Sequence, residues 1–168
     1  MKIATYTLIT IICLSSLSCT LNEPPVPPEI DKQFVRSASD LNLLCMRAGE
    51  TALNRSTAPD LRRYAGESVA FANAMNRELI ALGWQKRIPV KELSDAGTGK
   101  IDSLRAEPGE SFDAAFMEMV VTAHYDLVAV YEMEVASGQD MSIRAWARTK
   151  LPIIRENLEK AILVKDSI

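Results

Sequence analysis

Apolar residues recur along this chain at steps of three and four, the spacing that lines one face of an α-helix. Phe34, Ala38, Leu41, Cys45, Ala48 and Ala52 form the first such stripe, with Asp31 placed ahead of it as N-cap. Asn54 to Thr57 breaks the pattern. A second stripe follows in Leu61, Ala65, Ser68, Ala72, Met75, Leu79 and Leu82. Thr57 is its expected cap, Pro59 falls in the first turn where a missing N–H costs nothing, and Gly83 is the expected stop. A third helix is expected from Ser111 to Ser137, ended by Gly138, with Phe112, Phe116, Met119, Ala123, Leu127 and Val130 on its face. The fourth starts near Asp140 and carries Ile143, Ala147, Ile154, Leu158 and Ala161. Pro152 predicts a kink in it, because proline removes one backbone bond and crowds the preceding turn. No stretch reads as a strand.

Each helix is expected to span about 23 to 27 residues, or about 35 to 40 Å. Matched lengths with one apolar stripe each predict an all-α four-helix bundle. Residues 84–109 behave differently. Pro89, Gly97, Gly99, Pro108 and Gly109 interrupt them, leaving room for a helical turn or two around Lys100 to Arg105. The tight loops pair the first helix with the second and the third with the fourth. The long connection between helices 2 and 3 permits a ferritin-like crossover in which those two run parallel. Up-down-up-down wiring stays open.

The start of the chain has another character. Lys2 supplies a positive start, Ile3 to Leu17 an apolar run, and Ser16-Leu17-Ser18-Cys19 a small-residue cleavage site. The run is shorter than the roughly 20 residues a bilayer requires, and Thr5, Thr7 and Thr10 dilute it. Cys13, preceded by isoleucines, makes a poor processing site, whereas Ser18 suits cleavage before Cys19. Ser16 departs from the usual bacterial lipoprotein signal, which carries leucine there. Pro24, Pro25, Pro27 and Pro28 then favour an extended spacer. The expected organisation is a lipoprotein-type signal over residues 1–18, a lipidated Cys19 with a proline-rich tether over 19–30, and a bundle domain over 31–168. The address this implies is the bacterial cell envelope, with the membrane as partner through the N-terminal lipid, at the outer membrane facing the periplasm.

Composition narrows the choice further. The 168 residues are 48% hydrophobic, enough for a core, and carry a net charge of −3, which argues against a nucleic-acid partner. With Cys13 lost and Cys19 acylated, Cys45 has no disulfide partner and reads as a small buried hydrophobe. His124 is the sole histidine, set among Val120, Val121, Leu127 and Val128, where a hydrogen-bonded core residue is the expected reading. Glu118, Tyr125 and Glu132 repeat by seven on one face. With His124, Glu118 and Glu132 are the nearest approach to a metal site, but the Glu-x-x-His of di-metal bundles is absent. Gly97-Thr98-Gly99-Lys100 resembles the end of a phosphate loop but has Ser94 and Ile101 where glycine and Ser or Thr belong, so it reads as a turn. No nucleophile elbow is present, and one histidine leaves little scope for a triad. Asn54-Arg55-Ser56 is a sequon by letter but falls in a helix–helix turn. The expectation is no catalytic residue, no cofactor and no metal ligand set.

Phe34-Val35, Phe112-Asp113, His124 and Leu151-Pro152, in that order and spacing, resemble the bacterial "domain of unknown function 4142" family over residues 33–163. The resemblance implies an envelope protein with a ferritin-like bundle, of a kind often labelled outer-membrane. Members carry histidines in three helices. Here Phe71-Ala72 replaces the Asp-His of the second, Ala123 replaces the aspartate before His124, and Asn157 replaces the histidine after Leu-Pro. The resemblance therefore implies the fold and not the site chemistry. The expected function is a membrane-tethered, non-enzymatic helical-bundle lipoprotein with a binding or structural role and an unidentified envelope protein partner. The alternative is a periplasmic metal-binding or storage protein of ferritin-like descent.

Overall fold

The computed structural model describes residues 26–168. Five helices form it: α1 (Glu29–Arg55), α2 (Pro59–Gln85), α3 (Asp95–Ala106), α4 (Gly109–Ser137) and α5 (Met141–Lys165). No strand occurs among the described residues. The expectation of a four-helix, ferritin-like bundle is thus corrected to five helices, the additional one lying within the long connection. Gly97 and Gly99 predict a break there, but two effects outweigh them. Ser94 caps α3, its Oγ accepting from Gly97 N at 3.1 Å. Ile101 and Leu104 then bury their side chains in the core, and such packing outweighs weak propensity.

Three other helix starts are corrected, the first being that of α2, whose N-cap is Ala58 rather than Thr57. α1 begins at Glu29, inside the expected tether, with Pro28 as N-cap rather than Asp31. The carbonyl of Pro28 accepts the first helical bond from Lys32 N, a role that needs no N–H of its own. α4 starts at Gly109 behind Pro108, so Ser111 lies within its first turn. Asp140 does cap α5, accepting from Ser142 N at 2.9 Å and Ile143 N at 3.1 Å. α5 continues as one helix through Pro152.

Contacts along the helices fix their directions. The start of α1 meets the end of α4, where Phe34 packs edge-on against Tyr131 at 5.0 Å. The end of α1 meets the start of α4, where the Arg55 guanidinium lies 4.4 Å from the Phe112 ring centre. α1 and α4 are therefore antiparallel. Gly49 lies against Val69 and Gly83 against Val35, so α2 also runs against α1 and is parallel to α4. A parallel pair needs a connection as long as the helices, and residues 86–108 supply it along the flank of α1. Asp40 fixes the start of α3 by accepting from Ser94 N (2.7 Å) and Ser94 Oγ (2.9 Å). Arg55 fixes its end, donating to the carbonyls of Leu104, Arg105 and Glu107. The last carbonyls of a helix lack their usual donors, and here Glu107 N–H serves Leu104 O while Arg55 reaches all three.

Gly83 continues α2 rather than ending it, and the helix stops at Gln85. A Cβ at Gly83 would stand 2.8 Å from the Ile88 carbonyl oxygen, so glycine admits the returning chain. The interior forms two apolar clusters, one around Phe112 and Phe116, the other around Tyr131 and Ile143, with Leu41 and Val128 touching both.

Candidate functional site

Polar side chains enter this interior at two heights. At the waist, Cys45 of α1 and His124 of α4 face each other, with Sγ 4.0 Å from Nδ1. Both are almost wholly buried. His124 Nδ1 lies 2.8 Å from the Val120 carbonyl, which can only accept, so the proton of the neutral ring sits on Nδ1. Burial holds the imidazole below its ordinary titration range, against a smaller upward pull from the Val120 bond. Burial also pushes the Cys45 thiol up to about 12. Each group is therefore neutral near pH 7. A nucleophilic or metal-binding cysteine acts as thiolate, which this site disfavours.

At the end where the chain enters α1, two carboxyl groups meet. Asp31 sits on the inner face of α1, one turn before Phe34, and is fully buried. Its Oδ1 accepts from Gln139 N at 3.0 Å and Asp140 N at 2.9 Å, which joins α1 to the α4–α5 turn. Glu134, 1% exposed, lies on the inner face of α4. Burial, a side-chain hydrogen bond with Asp31, and the charges of Asp31 and Asp140 push its carboxyl up to about 8, with Arg144 opposing. A protonated Glu134 supplies the donor that Asp31 Oδ2 otherwise lacks. Gly138 makes room for it, since a Cβ there would stand 2.1 Å from Glu134 Oε1. Lys86 closes the same end, its Nζ 2.7 Å from Asp140 Oδ2.

The residues singled out from the sequence are not gathered. Glu118 is exposed and pairs with Lys165, and Glu132 is exposed and pairs with Arg155 at 2.7 Å, while His124 lies in the core. Among the described residues, no three of His, Cys, Asp and Glu group as a metal site would require. Gly97-Thr98-Gly99-Lys100 is helical and not a turn. Cys19 lies outside the described residues. The Asp31–Glu134 pair is absent from the sequence reading, although a signal exists. Asp31 steps by three to Phe34 and Glu134 by three from Tyr131, so each carboxylate occupies a core position of its stripe.

Comparison with known proteins places the geometry in a family. The model described as "Domain of unknown function (DUF4142)" matches residues 20–163. No curated protein matches the chain. Among solved structures, the crystal structure of a DUF305 fragment from Deinococcus radiodurans superposes with a TM-score of 0.73 at 16% identity. The match covers 86% of this chain and 100% of that one, and identity so low speaks for the fold alone.

Proposed function

The chain belongs to the DUF4142 family, and from that premise we propose that it is a membrane-tethered, non-enzymatic bundle of the bacterial envelope with a binding or structural role. The observation that carries this reading is where three of the internal polar groups are directed. Asp31 bonds the α4–α5 turn, Ser39 Oγ donates to Asn76 Oδ1 at 2.6 Å across α1 and α2, and His124 bonds its own helix. These groups join or rigidify helices, which leaves the surface for partners. Cys19, between an apolar leader and a proline-rich stretch, supports the tether, and an outer-membrane address facing the periplasm is part of the same proposal.

Fractionation of Cys19→Ala beside the wild type, with acyl labelling, tests the anchor. The wild type is expected to take label and remain with membranes, and the variant to do neither. Native protein that takes no label and is recovered soluble refutes the anchor. Metal analysis of protein purified without chelator tests the other half. Stoichiometric zinc, copper or iron would overturn the assignment in favour of a metal-binding bundle.

A further inference from the structure

The exposed apolar side chains are not spread evenly along the bundle. Trp84 is 85% and Met141 75% exposed, and Met133, Val26 and Ile80 are exposed as well. They come from α2, α4, α5 and the residues before α1, so they share no helix face. They share a height. Trp84 lies in the last turn of α2 and Met141 is the first residue of α5, and Lys86 joins those two ends through Asp140. Asp31 ties the start of α1 to the same place. Tyr125 and Ile153 are exposed midway along α4 and α5, and the opposite end exposes Leu163 and Ile168, so five of these nine side chains gather at the tether end.

We infer that this end of the bundle, with Trp84 and Met141 at its rim, rests in the headgroup region of the membrane that holds the anchor. The inference rests on the lipidated Cys19 proposed above. Seven residue steps separate Cys19 from Val26, a reach of at most about 25 Å. α1 alone is about 40 Å long, so the tether confines its own end to within about 25 Å of the bilayer, while the far end can stand well beyond that distance. Apolar groups arranged by height rather than along a stripe fit a plane, whereas a partner helix would call for a groove. Tryptophan is the side chain most favoured at a lipid–water boundary, and Arg87 lines the same hollow as Trp84. With the anchor holding the protein at the bilayer, even a weak second contact gains strongly from being on the same molecule.

The test uses the full-length acylated chain in vesicles of phosphatidylethanolamine and phosphatidylglycerol with a headgroup-level nitroxide lipid. Trp146→Phe leaves Trp84 as the only tryptophan. Trp84→Phe with Trp146→Phe and Leu163→Trp places the reporter at the far end. Trp84 is expected to be quenched at least twofold more than the far reporter. If Trp146→Phe disturbs the fold, the difference between wild type and Trp84→Phe reads the same quantity. Equal quenching at both ends, or none at Trp84, overturns the inference while the anchor stands. A blue-shifted Trp84 beyond the quencher's reach would mean that a second copy or another protein covers this end, and also overturns it. Mass analysis of the same preparation reports acylation. An unacylated Cys19 removes the anchor and the inference together.

Discussion

The waist and the tether end of the bundle each bury a pair of titratable side chains across α1 and α4, and the two pairs respond to pH in opposite directions. One cause acts in both, since burial disfavours whichever form is charged. At the waist the charged form of His124 is the protonated one, so burial lowers its pKa below the ordinary 6.5. At the end the charged form of Glu134 is the deprotonated one, so burial and Asp31 raise it from 4.5 to about 8. The folded protein thus binds fewer protons than the unfolded chain at His124 and more at Glu134. Stability contributed by His124 is full above pH 6.5 and declines as pH falls toward its folded value. Stability contributed by Glu134 is full below pH 4.5 and declines as pH rises through about 8. The comparison teaches that a buried pair is defined less by its residue types than by which protonation state its neighbours accept.

The largest break in this comparison is a charge that neither state can shed. Cys45→Arg puts an ionised group and excess volume between α1 and α4 at the waist. It is expected to lose about 4 kcal/mol or more, to the point of failing to fold, read by urea denaturation. Slow reaction of Cys45 with a thiol reagent in folded protein lacking Cys19, and fast reaction once denatured, checks the same burial without a core substitution. Equal rates would place Cys45 on the wrong face of α1.

A sharper probe acts at the tether end. Between pH 6.5 and 8 the Glu134 slope acts without the opposing one from His124. The wild type is expected to lose up to about 1.4 kcal/mol per pH unit in that window. Glu134→Gln, which keeps a donor for Asp31 and cannot ionise, should flatten the slope. A wild-type midpoint that holds steady over this range would show that Glu134 does not carry the proton assigned to it.

The smallest effect belongs to His124→Gln. The amide can still donate to the Val120 carbonyl, so a loss of about 1 kcal/mol is expected at pH 7. Stability below pH 6.5 should then fall less steeply than in the wild type. An unchanged acid limb would remove His124 from the pH balance.

Local chemistry explains how much of this was legible in the chain. Helices whose apolar residues step by three and four must bury that face, and α1, α2, α4 and α5 do so along the expected stripes, except that Leu41, Met119 and Val130 are half-buried and Met117, Val120, Val121 and Tyr131 complete the core face of α4. Gly138 and Asp140 mark a helix stop and start because their roles depend on a few neighbouring backbone groups. α3 was less legible. Its two glycines oppose a helix locally, and the burial of Ile101 and Leu104 that stabilises it depends on α1 being alongside. Asp31 illustrates the same limit. By local rules an aspartate before an apolar run is a cap, yet its partners here are Gln139 and Asp140, more than a hundred residues away in sequence.

The sequence by itself determined the all-α class, the helix faces, the family, and the core position of Cys45, since each follows from residue type and spacing over a few turns. Only the tertiary structure decided that α2 and α4 run parallel, that Glu118 and Glu132 stand apart from His124, and that Asp31 meets Glu134. Those facts depend on which helix ends are brought together, and pairing between distant segments follows from packing the whole chain at once.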